Sequence, residues 1–429
     1  MNSNNNILIK TVITKNIGKI NPNSIDDYIN AGGYKALQKA VKMTGVQIVD
    51  QVKASNLKGR GGAGFPTGIK MEAVLNTDVT PKYLVCNADE GEPGNFKDKL
   101  LLENDPHQML EGIIIAAVAL NIQKGYIYIR GEYNKAIEII NLAIEQATKK
   151  GFVGKNICST NFSLDLEVRS GAGAYICGEE FALIESIEGK SGRPRNKPPF
   201  PTVSGVNSKP TLINNVETFS VLPFIINEGG KVYAEIGTAT SSGTKLISLS
   251  GNVKNPGVYE VPFGVTVGQV IEQLGGGVPN NLKIKMVQLG GASGPIIPPS
   301  MLDIKLDYKE MADLGISMGS GAIIVIDERF EMFDIIKKIM NFFRHESCGK
   351  CTPCREGNRQ ILKLISKIDN GTATIKDLKL LETLCSVMVS TSFCGLGQAA
   401  PTAVITTLKY FTEEYANKIK DYSLQSKSV

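Results

Sequence analysis

Across residues 26 to 55 the apolar positions Ile29, Leu37, Ala40 and Val41 recur at the spacing of one helical face, which predicts helices there. The period then changes. Lys82-Tyr-Leu-Val-Cys86 is a short β-type run, Leu110 to Leu120 an apolar segment of helix length, Gly125-Tyr-Ile-Tyr-Ile-Arg130 a second strand, and Ala136 to Lys149 another helix. Strands and helices alternating in this rhythm predict an α/β domain whose parallel sheet is covered by helices. Around Gly237-Thr-Ala-Thr-Ser-Ser-Gly243 the composition turns small and polar, as in a linker. Short strands at Lys245 to Ser250, Gly257 to Val261, Met286 to Leu289 and Ala322 to Ile326, with one helix over Val267 to Leu274, make a small, glycine-rich α+β module. From Phe330 onward helical spacing predicts a bundle, with helices at Met332 to Arg344, Gly357 to Ile368, Ile375 to Ser390 and Ala399 to Ala416. The division expected is 1–240, 241–329 and 330–429.

A chain of 429 residues exceeds what one hydrophobic core usually serves, so several domains are expected on length alone. The net charge of +5 (47 Lys and Arg against 42 Asp and Glu) makes no case for nucleic acid and fits an anionic ligand or an acidic partner surface. The longest apolar run, Ile113 to Leu120, falls short of the ~20 residues a membrane helix needs. The asparagine-rich start, the one low-complexity piece, lacks an export pattern.

Eight cysteines change the picture. Cys348-Gly-Lys-Cys351-Thr-Pro-Cys354, with Cys394 forty residues on, has the tight run plus one remote ligand that an iron-sulfur cluster requires. Structural zinc and a thioredoxin-type pair compete for Cys-x-x-Cys, but zinc wants two pairs or added histidines, and only His345 is near. Cys385 competes with Cys394 as fourth ligand. Gly395 and Gly397 favour Cys394, because backbone without Cβ can pass close to a bulky inorganic core. The thiols left over, Cys86, Cys158, Cys177 and Cys385, read as buried hydrophobes in a reducing, cytoplasmic setting.

Three glycine-rich segments precede the cluster. Gly59-Arg60-Gly61-Gly62-Ala-Gly64 has the letters of a dinucleotide fingerprint without the preceding strand that fingerprint demands. Its continuation, Phe65-Pro-Thr-Gly-Ile-Lys70, sets an aromatic, a hydroxyl and a cation beside backbone able to wrap a phosphate. Asn87-Ala-Asp89-Glu90-Gly-Glu92 lies at the carboxyl end of the first strand, where open α/β sheets bind ligands. Ser170 to Glu180 again delivers an aromatic and two acids, Tyr175, Glu179 and Glu180, on glycine turns.

Together these motifs resemble the NADH-oxidising flavoprotein subunit of respiratory complex I and its relatives in NAD-linked hydrogenases, formate dehydrogenases and electron-bifurcating complexes. The likeness runs from about residue 25 to about residue 415, through Gly59 to Lys70, Asn87 to Lys97, Ser170 to Glu180, and Glu346 to Gly357 with Phe393-Cys-Gly-Leu-Gly397. It implies FMN held by Gly59, Arg60, Gly61, Gly62, Lys70, Asn87, Asp89, Glu90, Tyr175, Gly178, Glu179, Asn214, Asn215 and Thr218. It implies NADH placed by Phe65, Glu92, Glu180, Lys197 and Phe200, with Glu180 disfavouring a 2′-phosphate and hence NADP. It implies a 4Fe-4S cluster on Cys348, Cys351, Cys354 and Cys394, a ubiquitin-like middle domain and a cluster-bearing helical bundle. Where some members carry a second stacking aromatic, this chain has Ala73.

The chemistry implied is hydride transfer from NADH to FMN, then release of single electrons to the cluster, with no side chain acting as acid or base. Lys350, Arg355 and a helix starting after Cys354 would favour the reduced cluster. Partners implied are a thioredoxin-like 2Fe-2S subunit and a larger iron-sulfur or catalytic subunit. The expected location is cytoplasmic, with any membrane association through those partners. The competing class is an electron relay that keeps only the cluster.

Overall fold

The structure is a computed structural model and describes residues 11–420; the asparagine-rich start lies outside them. Four strands, β1 (Tyr83–Ala88), β2 (Lys124–Ile129), β3 (Asp165–Ser170) and β4 (Thr211–Asn215), form an all-parallel sheet in the order β3-β2-β1-β4. Successive residues of β1 serve opposite faces. Leu84, Cys86 and Ala88 join a core with the helix Pro106–Leu120, whereas Val85 joins Tyr128, Ile213 and Phe181 in a core that continues into the C-terminal helices.

The apolar run expected to be a helix is Pro106–Leu120, with Asp105 accepting from the Gln108 N–H at 3.3 Å and Pro106 at the first helical position. It is buried all round by the domain's own elements. Helix Val216–Glu228 crosses it so closely that a Cβ on Gly112 would stand 1.9 Å from the Phe219 carbonyl oxygen. No helix among the described residues is long and apolar enough to cross a membrane.

The two edge strands β3 and β4 were absent from the sequence-based expectation. β3 is largely exposed or half-buried, and β4 ends in two asparagines, so neither carries the apolar run that reveals a central strand. The helices expected over 26–55 are three, Ile25–Asn30, Lys35–Ala40 and Gly45–Ala54.

The next region holds a second sheet of β5 (Thr244–Gly251), β6 (Gly257–Pro262), β7 (Ile284–Leu289), β8 (Ile296–Ile297) and β9 (Ala322–Asp327), ordered β6-β5-β9-β7-β8. Only the β5–β9 pair is parallel. The helix expected over 267–274 is one short α-turn, Val267–Gln269, running into a π-helical turn at Val270–Leu274.

Beyond it come Met332–Glu346, Thr352–Asp369 and Ile375–Thr391, then three short helices in place of the single one expected over 399–416. The first break falls at Pro401, which has no N–H to continue a helical ladder, and the second at Phe411, whose backbone leaves helical geometry. The cysteine loop is also corrected. Thr352–Asp369 begins before Cys354, so that residue sits in the helix's first turn and Cys351 is its N-cap.

Candidate functional site

Residues 58–66 fold back as a hairpin-like loop, closed by the Gly59 N–H to the Phe65 carbonyl at 2.8 Å and by a Thr67 N–H to Leu57 carbonyl bond at 2.8 Å. A helix precedes it, not a strand, as the failed fingerprint context implied. Gly61 and Gly62 face a cleft of about 700 Å³. The carboxyl end of β1 adds Asn87, Asp89, Glu90 and Glu92; the turn before helix Glu180–Ile187 adds Tyr175, Gly178 and Glu179; β4 adds Asn215. Ten of the expected binding residues thus line one cavity.

Its polar wall is mostly preset. Asn87 donates to the Gly178 carbonyl at 2.9 Å and accepts the Asp89 N–H at 3.1 Å. Glu90 accepts the N–H groups of Asp98 and Lys99, capping helix Lys97–Asn104. Glu92 accepts the Ser293 N–H at 2.7 Å and the Tyr175 hydroxyl. Asn215 donates to Asp98 at 2.6 Å and accepts from Lys97. Burial pushes the Glu92 carboxyl up, and burial with Asp98 alongside pushes Glu90 to about 7.

Other groups are left waiting. Asp89 Oδ2, Asn214 Nδ2 and Ser320 Oγ are buried without any hydrogen-bond partner. Buried polar atoms are normally paired, so a cleft with Asp89 and Ser320 at its wall, and Asn214 just behind it, fits a polar, ring-bearing cofactor that supplies missing partners. Burial raises Asp89 to about 7, with Glu132 and Glu346 adding to the shift and Arg130 opposing it. Since the folded-state value lies above the unfolded one, folding binds this proton, and the cost of ionising it grows between about pH 4 and about pH 7. Asp89→Asn is therefore expected to stabilise the cofactor-free protein at about pH 8 by about 1–3 kcal/mol and to change little at about pH 4. Urea unfolding at the two pH values, with FMN affinity measured alongside and expected to fall, checks this.

Several expected residues stand elsewhere. Arg60 is a correction: its guanidinium is fully buried and turned from the cleft, donating to the carbonyls of Lys58 and Ser242 and to the Tyr233 hydroxyl. A cation that deep must spend its N–H groups on nearby oxygens. Thr218 likewise lies behind the loop, its hydroxyl accepting the Arg60 N–H at 2.9 Å. Lys70 donates to the Ile213 carbonyl at 3.0 Å, and neither it, Gly59 nor Asn214 lines the cleft. Phe65 and Phe200 are 51% and 54% exposed, and Lys197 bridges Glu180 at 2.6 Å and Glu179 at 2.9 Å. These groups stand outside the cleft lining, apart from Glu179.

The sequence reading missed a whole wall. Gly290, Ser293 and the loop 315–320 reach in from the second sheet's region, and Gly395, Leu396, Ala399 and Thr402 from the C-terminal helices. The repeated glycines in 290–294 and 315–321 were the available signal.

A second, small pocket is lined by Cys348, Cys351, Cys354 and Cys394, with Ser347, Lys350, Phe393, Pro194, Ile176 and Leu396 around them. Cys385 is absent from it and buried within the bundle core. Four thiols around one pocket have the donor set that a polynuclear iron-sulfur cluster needs. Of the two glycines invoked, Gly397 is the one that needs its missing side chain: a Cβ there would meet Cys354 Cβ at 2.9 Å, while Gly395 has open space. Cys86, Cys177 and Cys385 are buried as expected; Cys158 is only half-buried.

Sequence profiles match three regions: the Nuo51 FMN-binding domain over residues 52–223, an SLBB domain over 246–299, and the NADH-ubiquinone oxidoreductase-F iron-sulfur binding region over 334–418. The chain is 45% identical to the HndC subunit of the NADP-reducing hydrogenase of Solidesulfovibrio fructosivorans, covering 96% of this chain and 84% of that one. It is 47% identical to the F subunit of the NADH-quinone oxidoreductase of Aquifex aeolicus (94% and 93%) and 42% to its counterpart in Escherichia coli (92% and 90%). A crystal structure of an NAD+-reducing [NiFe]-hydrogenase in the H2-reduced state superposes with a TM-score of 0.83 at 33% identity, covering 97% of this chain and 68% of that one.

Proposed function

The chain belongs to the family of NADH-oxidising FMN and 4Fe-4S subunits of complex I and NAD-reducing hydrogenases, and from that premise we propose that NADH and FMN meet in the cleft between its glycine loops. Its cofactors are FMN and a 4Fe-4S cluster, and it works as a subunit of a larger complex. Bound FMN supplies the conversion from a hydride pair to single electrons, which the cluster then carries.

The observation that carries the reading is a shared wall. Ile176 and Leu396 line both the cleft and the thiol pocket, so the two cofactor sites are one side-chain layer apart. Gly61, Gly62 and Asn215 would cradle the flavin and Asn87 and Asp89 would offer it polar partners, while the Tyr175 hydroxyl donates to the Glu92 carboxylate on the cleft wall. Asp89, with its unpartnered oxygen, can hold a proton at Oδ2 near neutral pH. The loop 315–320 lines the cleft opposite Gly62. Phe65 and Phe200 offer exposed apolar faces for the dinucleotide's rings, and Lys197 pairs with Glu180.

The ubiquitin-like reading of the middle domain is supported by its strand order, with hairpins outside and one parallel pair at the centre. The partners we propose are a 2Fe-2S subunit beside the flavin and a larger iron-sulfur subunit beyond the cluster, in the cytoplasm. Subunits that copurify with the chain distinguish complex I from a hydrogenase or a bifurcating enzyme.

The purified chain, reconstituted with FMN and iron, is expected to show NADH-dependent bleaching of flavin absorbance and ferricyanide reduction. Loss of both signals would leave only the relay. Glu180 sets the cofactor preference by repulsion: unscreened, a carboxylate ~4 Å from a 2′-phosphate costs on the order of 4 kcal/mol at an effective dielectric of 20. Lys197 offsets part of that charge. Glu180→Gln is accordingly expected to raise kcat/KM for NADPH about tenfold while changing that for NADH by less than threefold; an unchanged ratio would remove Glu180 from that role.

A further inference from the structure

Two cations flank the cluster cysteines in sequence, and the fold treats them differently. Lys350 Nζ sits 4.1 Å from the centroid of the Phe393 ring and donates to the Pro194 carbonyl. Lys350, Phe393 and Pro194 all line the pocket into which the four thiols face. Arg355 does not line it. Its guanidinium donates to the Gly349 carbonyl at 2.8 Å and pairs with Glu356 at 3.1 Å, so a counter-charge screens it. On the cleft side the nearby carboxylate, Glu179, is matched by Lys197 at 2.9 Å. Lys350 is thus an exposed cation held at the rim of the cluster pocket by a ring and a carbonyl, with no carboxylate partner among the described residues.

Resting on the assignment of that pocket to the 4Fe-4S cluster, we propose that Lys350 is the positioning residue that sets the cluster's reduction potential, with Phe393 and Pro194 as its fixtures. A cluster gains one negative charge when it takes an electron, and a fixed positive charge at its edge favours that form. The ring beneath the ammonium contributes attraction along its face and holds the charge at the pocket's rim. Arg355 lies nearby in sequence but outside this mechanism.

The test is a redox titration of the reconstituted full-length protein, followed by low-temperature paramagnetic resonance of the reduced cluster. Lys350→Gln is expected to lower the one-electron reduction equilibrium constant about tenfold, equivalent to about 59 mV. Lys350→Arg, which restores charge at the same place, is expected to stay within threefold of the parent, and Arg355→Gln within twofold. Phe393→Leu keeps the charge but removes its seat, and is expected to shift the constant in the same direction as Lys350→Gln by about threefold. Iron and labile-sulfide analysis shows whether each variant holds the cluster. If the parent protein itself takes up no cluster on reconstitution, the pocket assignment itself is in error. If Lys350→Gln does not load, Phe393→Leu decides. An unchanged potential in the loaded variants, or a shift with Arg355→Gln as large as with Lys350→Gln, overturns the proposal.

Discussion

Cys394→Ser is expected to abolish the paramagnetic signal of the reduced cluster and most of the protein's labile sulfide, while NADH still bleaches the flavin. The thiol lines the small pocket with Cys348, Cys351 and Cys354, and the turn after it carries Gly397, packed against Cys354. Serine oxygen is a far poorer ligand for iron in such a cluster than thiolate sulfur. Cys385→Ser is the matched control, nine residues earlier. That thiol is 1% exposed, packed in the same core as Leu381 and Met388, and burial pushes its pKa up to about 12. It behaves as a small hydrophobe, so its serine variant should keep the cluster and lose about 1 kcal/mol of stability. Retention of the cluster in the first variant with loss in the second would reverse the ligand assignment.

The largest stability effect is expected at Glu217. This fully buried carboxylate stands 3.0 Å from Lys97 and 2.5 Å from Lys245, both also fully buried, and accepts the Leu246 N–H at 2.9 Å. Burial pushes its carboxyl up, but Lys245, Lys97 and Arg60 together outweigh that and hold it below the usual range. Lys245 is drawn down to about 7 by the same burial. Removing the acid leaves Lys245 without an anionic partner away from water and Lys97 with Asp98 alone. Glu217→Ala should cost about 3–5 kcal/mol in urea unfolding, the range for breaking a buried pair from one side. Adding Lys245→Met to it should recover part of the loss, because the second change removes a charge left without its partner. A double variant less stable than the single one by the full cost of Lys245→Met alone would show the two groups to be uncoupled.

What the sequence made legible follows from how each signal arises. Lys82 to Cys86 and Gly125 to Arg130 read as strands because they became β1 and β2, the two central strands, whose residues are mostly buried. The edges β3 and β4 carried no such run. The glycine loop announced itself through Gly61 and Gly62, but nothing in the letters Gly-Arg-Gly says which way the arginine turns, and Arg60 went inward. Asn214 and Asn215 came from family resemblance, since a strand ending in two amides looks like a loop. The wall built by Ser293 and residues 315–320 was out of reach for another reason: only the folded chain brings those turns opposite Gly62. The run Cys348 to Cys354 was legible from its tight spacing, but not that Cys354 would fall inside the helix Thr352–Asp369.

The inward turn of Arg60 bears on how this protein can be dissected. One guanidinium ties Lys58 at the foot of the glycine loop to Tyr233 in the first domain's last helix and to Ser242 in the connecting segment. A fragment trimmed to the parallel sheet and stopped before residue 233 would retain Gly61, Asn87, Tyr175 and Asn215, yet its flavin loop would hang from an unmoored arginine. Exchanging the middle domain for that of a relative carries the same hazard unless residues 233–242 travel with the graft. The latch couples the segment 233–242 to the loop proposed here to cradle the flavin.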